Sequence, residues 1–212
     1  MRKIFLFLIS AFLLFSPAML HASSRGLGGP ILVATMGNME VLNNYIAAYG
    51  LPAFNSLSIS WGGSGVGFLG ETIGIGGLAC GGVETVFKDN CEARIMSGTY
   101  VFIIETSLIR AGFFNLLLSY GPGITTTAFS VLKDEMSEFY CYNILFYGGL
   151  SARMDVTETT QLELFAGYKY APESSWKQLR GSLPVPDEIN LACVMIGVGI
   201  KWGSTGAAGI QE

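Results

Sequence analysis

Residues 140–156, with the sequence YCYNILFYGGLSARMDV, alternate between two kinds of side chain along their whole length. The even-numbered positions are aromatic, aliphatic or small, whereas the odd-numbered positions include Asn143, Ser151, Arg153 and Asp155. Successive side chains of a β-strand point to opposite faces of the sheet. This period of two predicts a long strand with one apolar face and one largely polar face.

The same alternation recurs elsewhere in the chain. At 161–170 the leucines fall on the face opposite Glu163 and Lys169, and at 193–202 the valines and isoleucines lie opposite Lys201. The pattern predicts eight strands, at about residues 28–36, 56–69, 72–87, 95–108, 113–131, 138–157, 160–172 and 188–203.

The predicted connections alternate in length. Three are tight, at Gly70-Glu71, 110–112 and Glu158-Thr159, and the other four are longer or richer in polar and turn residues, at 37–55, 88–94, 132–137 and 173–187. Bacterial outer-membrane barrels have an even number of strands, short periplasmic turns and longer outer loops. The sequence therefore predicts an all-β fold: an eight-stranded antiparallel up-and-down β-barrel of the outer-membrane type, with its apolar face toward lipid.

One part of the first long connection has a helical period instead. Its apolar residues recur at the spacing of one helix face: Leu42, Tyr45, Ile46 and Tyr49. Asn38 is a favourable N-cap, and Gly50 favours the end of a helix. We expect a short helical insert at 38–50 in the first outer loop, which either covers the barrel rim or enters the lumen as a partial plug.

The first residues have the pattern of a secretory signal peptide. Arg2 and Lys3 are basic, residues 4–15 are almost entirely apolar, and Ala22 offers a small residue for cleavage. We therefore expect three regions: a cleavable signal peptide at 1–22, a barrel domain at 23–203 and a C-terminal tail at 204–212.

The composition favours a membrane protein without a spanning helix. Hydrophobic residues make up 50% of the chain and charged residues 13%, yet no segment after residue 22 has 18 consecutive apolar residues. A closed β-barrel is the other structure that can cross a bilayer. Without residues 1–22 the chain has 10 basic and 16 acidic residues, a net charge of −6, and no basic tract. This charge argues against a nucleic-acid partner.

Glycine-rich motifs carry a resemblance to a known group of proteins. The chain contains GGPIL at 28–32, WGGSG at 61–65 and IGIGG at 73–77. These motifs resemble those of small, uncharacterised bacterial outer-membrane β-barrel proteins with a Gly-Gly-Pro first strand and a glycine-rich second hairpin. The resemblance implies location in the cell outer membrane, the lipid bilayer as a partner and insertion by the barrel-assembly machinery. It implies no catalytic residue.

Charged residues occur on the face that should line the lumen. Six share this inward parity: Glu105, Arg153, Asp155, Glu163, Lys169 and Lys201. Because buried charges must be paired, three acids and three bases predict a polar network that fills the lumen, and carboxylate-based catalysis is the alternative. We expect Glu105, Arg153, Glu163 and Lys169 to belong to one such network, with Arg153 and Glu163 close together across a hairpin.

Aromatic residues near strand ends predict the two membrane interfaces, where Tyr and Trp form belts in outer-membrane barrels. The expected members are Tyr100, Tyr140, Tyr142, Tyr170 and Trp202.

Other chemistry finds little support in the sequence. Residues 65–70 match the dinucleotide-binding pattern, but a strand follows them where that site needs a helix, so we expect no nucleotide cofactor. The only histidine is His21, which excludes a Ser-His-Asp triad in the processed chain. Four cysteines, at 80, 91, 141 and 193, could be buried thiols or form bridges. We expect no cofactor, metal or catalytic residue.

The sequence thus predicts a non-enzymatic outer-membrane barrel that serves as an envelope component or binds through its outer loops, with a lumen filled by side chains. The sequence assigns no ligand to it. Three alternatives remain: a soluble or surface barrel that binds an apolar ligand and turns its apolar face inward, a lipid-modifying barrel enzyme, and a narrow channel.

Overall fold

The computed structural model describes residues 26–69 and 72–203. The predicted signal peptide, the C-terminal tail and the first tight turn at Gly70-Glu71 lie outside the described residues.

Long β-strands make up most of the described chain. They are β1 (Gly26–Gly37), β2 (Leu57–Leu69), β3 (Ile73–Lys88), β4 (Cys91–Ala111), β5 (Phe114–Leu132), β6 (Met136–Thr157), β7 (Thr160–Tyr170) and β11 (Cys193–Gly203). Three short strands lie between the last two: β8 (Glu173–Ser174), β9 (Lys177–Arg180) and β10 (Ile189–Asn190). One helix, α1 (Glu40–Ala47), lies between β1 and β2. Within the described residues, no helix is long and apolar enough to cross a membrane.

The eight long strands form a closed antiparallel ring. Each pairs with the strand before and after it, β5 pairs with β6, and β11 pairs with both β7 and β1. The predicted eight-stranded up-and-down β-barrel is therefore confirmed, as is its one short helix. Outside this ring, β9 pairs with the first part of β6, and β8 pairs with β10.

Two predicted outer loops are instead the ends of strands. The β3–β4 connection is a turn at Asp89-Asn90, and the β5–β6 connection covers only 133–135, where the prediction had loops at 88–94 and 132–137. Asp89 adopts a left-handed conformation with a φ of 53°, which closes the tight turn. Polar residues near these turns pair as well as apolar ones, because antiparallel pairing depends on backbone groups.

The last predicted strand is also divided. Leu191 and Ala192 separate β10 from β11, so the strand predicted at 188–203 begins at Cys193. The Asn190 side chain accepts a hydrogen bond from the Ala192 N–H at 2.8 Å, which turns the chain at this point.

Helix α1 is shorter than the predicted insert at 38–50. Its N-cap is Met39, while the Asn38 side chain accepts a hydrogen bond from the Glu40 N–H at 2.8 Å. At the other end, Gly50 has a φ of 74°, and the Leu51 N–H donates to the Ile46 carbonyl, as in a Schellman motif. The helix itself ends at Ala47, and Gly50 reverses the chain three residues later.

The interior of the ring is filled by side chains at mid-height. This core includes buried side chains from β1, β3, β4, β6, β7 and β11: Ile31, Val33, Leu78, Cys80, Val101, Ile103, Leu145, Tyr147, Phe165, Cys193 and Met195. The Tyr147 ring lies over Gly167 of β7, where a Cβ atom would come within 2.6 Å of the ring. The absence of a side chain at Gly167 therefore makes room for the aromatic ring inside a narrow barrel.

Gly167→Ala should consequently destabilise the barrel by about 1–3 kcal/mol, because the new methyl group overpacks the lumen against Tyr147. Gly148→Ala is the matched control, since a Cβ there meets no atom within 4 Å. Urea unfolding of both variants in lipid or detergent measures the difference. Equal stability of the two variants would contradict this account of the core.

Candidate functional site

Four charged residues form a cluster inside the barrel on the side of the short turns. Arg153 Nη2 lies 2.6 Å from Glu105 Oε1 and 2.7 Å from Glu163 Oε1, and its Nε donates to the same Glu163 oxygen at 2.8 Å. Lys201 Nζ lies 3.1 Å from Glu163 Oε2 and also contacts the Ser64 hydroxyl. All four charged residues are buried. Two acids and two bases thus balance in charge within one connected group.

Strand register brings these residues together. Arg153 on β6 is directly paired with Glu163 on β7, as the sequence predicts from their positions on a hairpin. Lys201 on β11 is paired with Gln161, one inward position along β7 from Glu163. Glu105 comes from β4, and its neighbour across the ladder is Ser119 of β5. The cluster therefore links four strands across the lumen.

The space around the cluster is nearly full. A cavity of about 10 Å³ lies beside it, lined by Tyr147 and Phe165 among others. This volume is no larger than that of about one water molecule. Residues 26–69 and 72–203 contain no group of three or more side chains placed to hold a metal ion, and all four cysteines are free thiols. The geometry supports ion pairing and gives no room for an organic substrate.

Two of the predicted network residues lie apart from the cluster. Asp155 is exposed and accepts a hydrogen bond from the Gln161 side chain. Lys169 is buried nearer the outer end of the barrel, where its Nζ lies 3.5 Å from Thr99 Oγ1. Lys201 thus occupies the position in the cluster that the alternation predicts for Lys169. Parity alone assigns both lysines to the lumen and does not distinguish their heights along it.

A second, apolar cluster closes the outer mouth, and we call it the mouth cluster. It consists of buried side chains from α1 and its C-terminal extension, from the outer ends of β4–β6 and from the β7–β11 connection: Leu42, Ile46, Leu51, Phe54, Ala93, Ile95, Phe129, Val131, Phe139, Cys141, Trp176 and Ile189. The strand members occupy inward-facing positions. The helix therefore contacts the inside of the barrel wall and fills the outer mouth on the side of β4–β6.

Aromatic contacts fix the mouth cluster. The Phe129 and Phe139 rings are stacked at 5.9 Å, and Tyr45 of α1 meets both rings edge-on. The Tyr45 hydroxyl donates to the Pro184 carbonyl at 2.7 Å, and burial raises the pKa of this phenol above its ordinary value. The helical period predicts the helix but not its partners, because inward aromatic residues at strand ends show the same alternation as lumen residues elsewhere.

The outward faces of the strands are apolar. Four of the five residues predicted for aromatic belts are exposed, namely Tyr100, Tyr142, Tyr170 and Trp202, and Tyr140 is half-buried. Trp202 lies at the end of the barrel with the short turns, whereas Tyr170 lies at the opposite end of the neighbouring β7. Further exposed aromatics outside the predicted set include Trp61, Phe87 and Phe113.

Arg153→Met should destabilise the barrel by about 3–5 kcal/mol, because Glu105 and Glu163 would remain buried without their shared cation. Adding Glu163→Gln should recover part of that loss, so the two changes should not be additive. Urea unfolding of the single and double variants measures the coupling.

Arg180→Met serves as the control for this cycle. It removes the exposed ion pair between Arg180 and Glu138, and such pairs contribute about 1 kcal/mol or less. Strict additivity of Arg153→Met and Glu163→Gln would show that the buried pair is not coupled.

The chain resembles solved structures of other proteins in its fold. No protein-family model matches the chain, and no curated protein matches it. Among solved structures, neisserial surface protein A is 10% identical with a TM-score of 0.55, covering 85% of this chain and 97% of that one. The outer membrane protein OprG from Pseudomonas aeruginosa is 10% identical with a TM-score of 0.55, covering 86% and 96%. A major outer membrane protein from Thermus thermophilus is 6% identical with a TM-score of 0.53, covering 85% and 99%. The chain therefore has the fold seen in small outer-membrane β-barrel proteins.

Proposed function

We propose that this chain is a non-enzymatic β-barrel of the cell outer membrane, a component of the envelope that binds through its outer end and does not form an open pore. Export through the signal peptide at 1–22 and insertion by the barrel-assembly machinery belong to this proposal. The fold comparisons support it, and the distribution of side chains on the barrel is its main physical basis.

The barrel is apolar outside and charged inside, which is the observation that carries the proposal. Ile144 on the outer surface is 71% exposed, whereas Lys201 in the lumen is 1% exposed. Charged residues on the outward faces of the long strands, such as Arg94 and Glu138, lie within a few residues of a strand end. Such a surface is costly in water and favourable in a bilayer, where only apolar side chains should face lipid.

Strand lengths support a membrane band at the end of the barrel with the short turns. β7 and β11 have 11 residues each, which is about the 9–11 residues that a tilted strand needs to cross a bilayer. β4, β5 and β6 have 21, 19 and 22 residues and therefore extend beyond that band on the outer side. Their extension forms a wall, and the mouth cluster covers its inner face. This wall and the mouth cluster make up the surface available for loop-mediated binding.

The two closures of the lumen favour an envelope or binding role over the channel alternative. The charged cluster fills the end with the short turns, and the mouth cluster fills the β4–β6 side of the outer end. The outward apolar face counts against a soluble barrel that holds an apolar ligand, because such a barrel would keep its surface polar. A lipid-modifying enzyme would need reactive groups open to substrate, whereas the carboxylates of Glu105 and Glu163 are buried in ion pairs.

The tryptophans provide a test of insertion in lipid. Of the three in the chain, Trp61 is 77% exposed and Trp202 51%, whereas Trp176 is 5% exposed in the mouth cluster. In vesicles of brominated lipid the fluorescence of the wild type should be quenched. The Trp61→Phe/Trp202→Phe variant, which retains Trp176, should be insensitive to the bromine.

Equal quenching of the double variant and the wild type would reverse the assigned orientation. Cell fractionation is the companion measurement: the protein should remain with the outer-membrane pellet until detergent is added, and recovery in the soluble fraction would contradict the proposal.

Planar bilayers test the closure of the lumen. The wild type should insert without a stable conductance, since side chains block both ends of the barrel. A variant with Leu42→Ser and Ile46→Ser, which weakens the contact of α1 with the mouth cluster, should still show little conductance because the charged cluster remains. A large, steady conductance of the wild type would favour the channel alternative.

A further inference from the structure

A cavity of about 90 Å³ opens at the outer mouth beside α1. It lies between the outer parts of β1–β5 and the segment that precedes β11. Hydroxyl groups from the inward faces of four strands line it: Thr35, Ser58, Ser97 and Thr127. Lys169 and Cys193 also line this cavity, which we call the outer pocket.

Lys169 brings a buried positive charge to the outer pocket. Lys169 is 8% exposed. Its Nζ atom lies 3.5 Å from Thr99 Oγ1 and also contacts the Cys193 thiol. Across the described residues no carboxylate lies within 4.0 Å of its ammonium group. A buried ammonium is costly without a counter-charge, so this lysine differs from the similarly buried Lys201, which has Glu163 as its partner.

The acidic residue on the pocket wall is engaged elsewhere. Glu84 Oε1 accepts hydrogen bonds from the Asn55 N–H at 2.8 Å and from the Asn55 side-chain amide at 3.0 Å. Asn55 thus holds the carboxylate of Glu84 at the β2 side of the mouth. The positive charge of Lys169 is left to a group that enters from outside.

The geometry points to a binding site for a small monocarboxylate. We infer that the carboxylate of such a ligand pairs with the Lys169 ammonium and accepts a hydrogen bond from a wall hydroxyl such as that of Ser97. The hydroxyls of Thr35 and Ser58 already lie 2.6 Å apart and bond to each other. Hydrogen bonds that involve a charged group are stronger than those between neutral groups. Apolar side chains of Ile95, Ile189 and Leu191 line the same pocket and fit a short hydrocarbon body. One cation matches one negative charge, and a volume of about 90 Å³ admits a chain of a few carbons.

This inference goes beyond the proposed function by assigning a ligand class and the residue that recognises it. It rests on that proposal only for the side from which the ligand enters. Binding can be measured on the folded protein in detergent micelles, so its outcome is independent of fractionation or lipid quenching.

The test is isothermal titration calorimetry of the full chain in micelles with sodium butyrate as the probe. Butylammonium chloride, butanol and inorganic phosphate are the comparison probes. Butyrate should bind, and Lys169→Met should weaken this binding by about tenfold or more, the loss expected for a charge-assisted contact. Butanol and phosphate should bind more weakly than butyrate, and butylammonium should not bind.

Three further variants separate the pocket from general effects. Lys88→Met removes an exposed lysine at the tip of β3 and should leave butyrate binding unchanged. Glu84→Gln should tighten it by roughly two- to threefold, because a nearby negative charge is removed. Ser97→Leu fills the pocket and keeps Lys169, so it should abolish binding even where Lys169→Met fails to fold.

Equal butyrate affinity of wild type and Lys169→Met, or of wild type and Ser97→Leu, would overturn the inference. Absence of butyrate binding to the folded wild type would overturn it as well. Phosphate binding that depends on Lys169, with no butyrate binding, would reject the carboxylate class and assign the pocket to an inorganic anion.

Discussion

The narrow interior of an eight-stranded ring is the constraint on which the rest of this structure depends. A barrel of this size has room for side chains and little else, so each inward position must be matched to those across the lumen. Gly167 leaves space for the Tyr147 ring, and serine and threonine occupy many of the other inward positions. At the end with the short turns the same constraint brings four inward charges into contact, because only a cavity of about 10 Å³ lies beside them. Filling and charge pairing are one requirement at that end of the lumen.

The charged cluster also determines the register of the barrel. Its members come from β4, β6, β7 and β11, and a shift of one residue in any of these strands would move a charge to the outer face. Such a shift would place Arg153 or Glu163 on the apolar outer surface and bring Leu162 or Leu164 into the lumen. A buried ion pair contributes modestly to stability compared with a well-packed apolar pair. Its larger effect here is to make the alternative registers unfavourable.

Alternation of side chains was sufficient to predict the ring, its eight strands and the inward position of every charged cluster member. It could not assign heights along the lumen, which depend on strand tilt and on pairing between distant strands, so Lys169 and Lys201 appeared equivalent. The predicted boundaries of two outer loops differ from the structure for another reason. The polar residues around Asp89 and Asp134 are typical of loops, yet backbone pairing continues almost to the turn. Alternation does not predict the mouth cluster, because its contacts join α1 to strands more than forty residues away in sequence.

The seam between β1 and β11 joins the two ends of the described chain, from Leu27 paired with Gly203 to Gly37 paired with Cys193. The ladder is interrupted at Gly29 and Pro30, and a proline has no N–H to donate. Until this seam closes, two strands have unpaired backbone groups that hydrocarbon cannot satisfy. Closure joins residues far apart in sequence, so it carries the largest loop entropy of any strand pairing in the ring. In the bilayer assigned under the proposed function, folding and insertion should therefore be completed together, in one cooperative step at the seam.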